Sequence, residues 1–182
     1  MLLLLFVLLR SWADPLEAQE FPPKQLSEMG LFESIKRQDP KANLIPYTVN
    51  SPYWSDGTHK TRFILVPNKK KIIFSSHGNF EFPTETILIK NFYLDLVLNN
   101  PSSRTIIETR LFVKSSINDS WKGYSYQWNE EGSEAFLLTG SKTTTFVVET
   151  PADPSPGFFL QDYYFPSRND CLSCHTKAAG RV

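Results

Sequence analysis

The chain has 182 residues, 41% of them apolar and 21% charged, which is the length and composition of one globular domain with a core of its own. Nineteen basic residues balance nineteen acidic ones. That balance argues against a nucleic-acid partner, which calls for a basic surplus on some face.

The N-terminus reads MLLLLFVLLRSWADPLEAQ. The apolar run from Leu2 to Leu9 is too short to span a bilayer and has the length of a signal-peptide core. Ser11-Trp12-Ala13 offers small residues for cleavage, so residues 1–13 are expected to be a signal peptide and the mature chain periplasmic or secreted, with no membrane span. No Lys or Arg precedes the run and Arg10 follows it, so a buried first helix or strand stays open beside this reading.

Residues 14–43 read as an N-terminal linker and one short helix. The helix is expected in LSEMGLFES, 26–34, where Leu26, Met29 and Phe32 fall on one face, and Pro40 and Pro46 rule out helix in the segment after it. Residues 44–166 read as a β-domain. TRFILVP (61–67), KIIF (71–74), ETILIKNFYLDLVL (85–98), RTIIETRLFVK (104–114), GYSYQW (123–128), EAFLLT (134–139) and TTTFVVET (143–150) are rich in β-branched and aromatic residues. Turn signals separate them, among them Asn99-Asn100-Pro101 and Glu130-Glu131-Gly132, and Lys69-Lys70-Lys71 reads as a solvated hairpin tip. Such spacing without a helical period predicts an all-β fold, mainly an antiparallel β-sandwich or barrel.

Residues 167–182 carry the only two cysteines, Cys171 and Cys174, followed at once by His175. Cys-x-x-Cys-His is the spacing of covalent haem attachment. One helical turn between the sulfurs lets them reach two vinyl groups as thioethers, and the next residue turns its imidazole to the iron. Export fits this reading, because haem c is attached outside the bacterial cytoplasm. Three other readings stay open. An exported chain with two cysteines can close a Cys171–Cys174 disulfide. A thioredoxin-like redox pair wants a βαβ context that is absent here. Zinc needs a fourth ligand, which His59 or His77 would have to supply. A second axial ligand for a haem iron has three candidates, Met29, His59 and His77, all upstream of the motif.

With these residues in view, the chain resembles a group of exported bacterial proteins with a haem-c motif. They occur alone, as diheme c-type cytochrome-like proteins, or as the C-terminal domain of PQQ-dependent sugar dehydrogenase-like proteins. The resemblance runs from about Leu26 to Val182 through LSEMGLF, LIPYTVNSPYWSDGTHKTRFILVP, FEFPTETILIKNF, IIETRLFVK, WKGYSYQWNEEGSEAFLL and YYFPSRNDCLSCHTKAAGRV. It implies covalent haem c (iron) on Cys171 and Cys174 with His175 on the metal. It also implies electron transfer with a partner oxidoreductase, a PQQ-dependent sugar dehydrogenase-like protein among the candidates. Members usually continue past AAGRV and carry a second haem site, so a truncated chain is expected. The family pattern assigns no distal ligand to Met29, His59 or His77.

Two functions of other classes are set beside this one. Trp54, Trp121, Tyr124, Tyr126 and Trp128 could form a sugar-stacking face on a non-redox secreted β-sandwich binding module, whose ligand would be a carbohydrate or a protein. A period-two aromatic stripe also fits a sheet core. SPYWSDGTHK gathers Ser51, Tyr53, Ser55, Asp56 and His59, the residue types of acid–base chemistry, although Asp56-Gly57 is ordinary turn sequence. Of these classes, an electron-transfer component is expected over a catalyst.

Overall fold

The computed structural model describes residues 21–74, 76, 80–151 and 156–175. The signal peptide expected at 1–13 and the candidate ligand His77 lie outside them. The described residues form a mostly antiparallel β-fold with one short α-helix.

The centre is a six-stranded antiparallel meander. Its strands are β3 (Leu44–Pro46), β4 (His59–Leu65), β5 (Ile87–Asp95), β6 (Arg104–Lys114), β7 (Trp121–Trp128) and β8 (Ala135–Leu137), paired in chain order with β3 and β8 at the edges. Side chains alternate between its two faces. Ile87, Ile89, Leu111, Val113, Tyr124, Tyr126 and Trp128 point to the first face. They are covered by Leu26, Leu31 and Phe32 from the N-terminal segment, which contains the short strands β1 (Phe32–Ser34) and β2 (Asp39–Pro40). Tyr126 donates a hydrogen bond to the Pro23 carbonyl at 2.9 Å and so ties that segment down.

On the second face, a hairpin of β9 (Lys142–Thr150) and β10 (Gly157–Phe165) lays Val148, Tyr163 and Phe165 on Phe92, Leu94 and Ile107. A bulge opposite Phe92 and Tyr93 sends Ile106 to the first core and Ile107 to the second. After the hairpin, α1 (Arg168–Cys174) crosses back over β7.

Three local expectations differ from the structure. The N-terminal helix is a single 3₁₀ turn, Leu26–Met29, because Gly30 takes a left-handed conformation (φ 61°) and the chain enters β1 at Phe32. Among the described residues KIIF makes one isolated bridge, Ile73 to Glu81, and Ile73 and Phe74 are exposed. FFLQDYYF, which is not among the expected strand runs, forms most of β10.

Candidate functional site

The helix carrying the cysteines is held at both ends. Pro166 precedes it and Ser167 caps it: the Ser167 hydroxyl accepts from the Asp170 amide, and the Asp170 carboxylate accepts from the Ser167 amide at 2.8 Å. The same carboxylate accepts from the Ser167 and Tyr164 hydroxyls at 2.7 and 2.8 Å. These bonds, those of Ser167 foremost, hold the Asp170 carboxyl below the usual range. Ser125 on β7 donates to the Pro166 carbonyl at 3.0 Å, and the Arg168 guanidinium lies over the Tyr124 ring. Seven residues are too few for an isolated helix in water, so α1 depends on these caps and on its seat on the sheet.

The seat is Gly123. A methyl group there would lie 2.5 Å from Cys171 Cβ and 2.9 Å from Cys171 Sγ, so only glycine lets helix and strand approach this closely. Cys171 is therefore half-buried while Cys174, one turn on, is exposed; both are free thiols. Burial pushes the Cys171 thiol above its ordinary value, and the nearby Arg110 guanidinium pulls the other way.

His175 caps the helix C-terminus through its amide, which donates to the Cys171 carbonyl. Its ring meets Phe112 with centroids 4.7 Å apart. Phe112 in turn stacks on Trp121, and Phe82 meets Trp121 edge-on. Past this aromatic group opens a cleft of about 1010 Å³, with Leu172 and His175 on one wall and Phe80, Phe82, Pro83 and Trp121 among the others. Burial, then the charges of Lys90 and Arg110, lower the His175 pKa and favour the neutral imidazole. A neutral imidazole is the form that binds a metal.

The donors suit a covalently held haem. Two free thiols sit a helical turn apart, and the adjacent imidazole lines a cleft large enough for a macrocycle, walled by Phe80, Phe82 and Trp121 together with charged and polar side chains such as Lys114, Asp119 and Lys122, and bordered by neither cysteine. The other expected ligands are elsewhere. Met29 packs against the first core. His59 alternates with Phe63 onto that same face, where its Nε2 lies 3.2 Å from the Asp95 carboxylate. Both are thus on the side of the sheet away from α1. No group of three or more His, Cys, Asp or Glu among the described residues could hold a metal ion, so the zinc reading finds no support.

The aromatic stripe is core. Trp121, Tyr124, Tyr126 and Trp128 are all buried, and only Trp54 of the five is exposed. Burial raises the Tyr126 phenol well above its ordinary value. Nor do the residues of SPYWSDGTHK converge: Asp56 and Gly57 both take positive φ in a turn, Tyr53 is exposed, and His59 pairs with Asp95.

One group at the site was not expected from the sequence. Glu108 is fully buried and receives two hydrogen bonds of 2.8 Å from Arg110 and one from the Tyr163 hydroxyl. Burial and the Glu108 charge drive the Tyr163 phenol far upward, so it stays a donor. The Glu-x-Arg spacing, two residues apart on one face of a strand, was the available signal. No helix among the described residues is long and apolar enough to cross a membrane. No protein-family model, curated protein or solved structure matches the chain.

Proposed function

We propose that this is an exported c-type cytochrome-like protein, a sandwich-like β-domain that holds haem covalently on Cys171 and Cys174 with His175 as the proximal ligand. It exchanges electrons with a partner oxidoreductase, a PQQ-dependent sugar dehydrogenase-like protein being one candidate. The observation that carries the reading is the Cys-x-x-Cys-His on a capped helix whose His175 lines a large cleft of mixed aromatic and polar walls. Bound there, the haem supplies one-electron redox chemistry. The chain's own contributions are separate. Gly123 seats the thiol-bearing turn, Phe112 fixes the plane of the His175 ring, and Phe82 and Trp121 exclude water from one side of the cleft.

The test is co-expression with a bacterial cytochrome c maturation system, followed by a haem stain on a denaturing gel and a pyridine haemochrome spectrum. The expected result is covalent haem with a two-thioether spectrum, lost in the Cys171→Ala/Cys174→Ala variant while the β-fold persists. A colourless folded protein, or haem retained covalently in the double variant, overturns the reading.

A further inference from the structure

The β9–β10 hairpin has one edge joined to the meander and one edge open. On the joined side, Glu149 of β9 donates its amide to the Leu96 carbonyl and accepts from the Leu98 amide, both at 2.8 Å. The backbone groups of Glu149 therefore point away from β10, which makes Glu149 and its partner Phe158 a non-hydrogen-bonded pair. The register runs on without a shift, so the same holds at every second position. The amides and carbonyls of Phe158, Leu160, Asp162 and Tyr164 thus all point out of the far edge of β10. Among the described residues one of these groups has a partner: the Asp162 carbonyl accepts from the Gln161 side-chain amide at 2.8 Å.

An open edge invites another strand, and other edges of this protein are blunted against it. β3 and β8 have three residues each, β3 ends in Pro46, and the half of β4 beyond β3 carries His59, Lys60 and Arg62. β10 runs for nine residues without a proline, a lysine or a bulge. Its one charge, Asp162, accepts a hydrogen bond from Thr145. At its start Phe158 and Leu160 are 68% and 63% exposed, and Val147, beside Leu160 on β9, is exposed with them.

A second copy of the chain fits this edge. An antiparallel edge is complementary to itself about a two-fold axis, because each N–H meets a C=O of the same row. With nineteen basic and nineteen acidic residues, two copies meet without net repulsion. A sheet ordered β9-β10-β10-β9 also closes at two, since its outer strands are those tied to Leu96 and Leu98. The free groups select the register. An axis on Leu160 or Gln161 calls on the Asp162 carbonyl, already taken, and sets Asp162 opposite Phe158 or Leu160. An axis on Phe159 pairs Phe158 with the partner's Leu160, uses free amides and carbonyls alone, and lays apolar side chains against each other.

We infer that this protein forms a two-fold dimer through β10, paired antiparallel about Phe159. The dimer requires no haem. Sedimentation velocity of the full chain over a concentration series reads the oligomeric state, and wild type is expected to be a dimer. Leu160→Pro deletes an outward amide that the fold itself leaves unused, so it is expected to weaken dimerisation at least about tenfold with an unchanged circular dichroism spectrum. Leu160→Lys keeps the amide, places a charge on the edge and is expected to act alike, which decides the matter if the proline variant fails to fold. Val147→Lys puts the same charge on the same face one strand away from the edge, and is expected to stay dimeric. The register is read by cross-linking in a Cys171→Ser/Cys174→Ser background. Partners in a non-hydrogen-bonded pair have Cα atoms about 4.5 Å apart, within disulfide reach, so Phe159→Cys is expected to cross-link on mild oxidation and Gln161→Cys is not. A monomeric wild type, or species that grow past the dimer with concentration, overturns the proposal. So does a dimer indifferent to Leu160→Lys, or one dissolved equally by Val147→Lys, which would put hairpin faces rather than edges in contact. Failure of Phe159→Cys to cross-link overturns the axis at Phe159.

Discussion

Gly123 is the position at which a single hydrogen atom decides whether helix and sheet meet. The space a Cβ would need is taken by Cys171, and the neighbouring Phe112 ring, 3.6 Å from that same point, leaves little room to yield. Gly123→Ala is therefore expected to lift α1 from β7 and destabilise the fold by about 1–3 kcal/mol, the usual scale of overpacking. The lifted helix exposes Cys171, so its reaction with a thiol reagent should accelerate while that of the exposed Cys174 stays the same. Gly140→Ala, where a new methyl meets nothing within 4 Å, is the neutral control. Unchanged Cys171 reactivity in Gly123→Ala would refute the close seat. The motif itself was legible in the sequence because its chemistry depends on spacing. The glycine was not, since GYSYQW reads equally well as strand with any small residue at its start, and only the packing of a distant helix makes that residue necessary.

At the scale of elements, the β9–β10 hairpin joins the meander through a buried polar contact inside an apolar patch, beside the backbone bonds of Glu149 to Leu96 and Leu98. Tyr163 brings its ring into the second core against Phe92 and Phe165, and its hydroxyl to the buried Glu108 carboxylate. Tyr163→Phe keeps the ring and deletes the bond, so a loss of about 1.5–3 kcal/mol is expected in urea denaturation, as for a hydrogen bond to a charged group. Glu108→Ala is expected to cost more, about 3–5 kcal/mol, because it leaves Arg110 charged and largely buried without its partner. The two losses should not add in the double variant, since Glu108→Ala already removes the acceptor of the Tyr163 bond. Additive losses would mean that the two side chains act separately. The long strands were readable because β-branched runs such as RTIIETRLFVK need nothing beyond their own pattern, and β6 occupies that whole run. β10 was not, because Phe158, Phe159 and Leu160 are consecutive apolar residues, as are Tyr163, Tyr164 and Phe165, and neither run alternates. KIIF failed the opposite way: its composition is that of a strand, but among the described residues it makes a single bridge to Glu81 and a ring contact between Phe74 and Phe80.

Over the whole molecule, the balance of nineteen basic and nineteen acidic residues conceals how they are distributed. A count reports the sum, whereas the register of three strands puts Arg62, Lys90 and Arg110 side by side. This segregation has a measurable consequence for stability. Lys90 holds its proton less tightly in the folded chain, with a pKa of about 8 against the ordinary 10.5, because burial and the neighbouring cations oppose its charge more than Glu108 favours it. Between those two values the unfolded chain binds more protons than the native one, so the Lys90 contribution makes stability rise with pH. Lys60, lowered first by burial and then by Arg62 and Arg110, acts in the same direction. The Cys171 thiol, raised by burial, opposes it at the alkaline end. The difference between wild type and Lys90→Met separates the lysine from both. Lys90→Met is expected to be more stable than wild type at pH 7 by about 1 kcal/mol, a figure already reduced for the partial exposure of the ammonium. That advantage should shrink as the pH passes 8 and vanish near the unfolded-state value, where both proteins carry an uncharged group at this position. Urea denaturation at a series of pH values reads this directly. Converging curves would establish that the fold tolerates a standing repulsion at this site. Parallel curves would mean that Glu108, whose charge favours the protonated lysine, already balances the repulsion from the neighbouring cations.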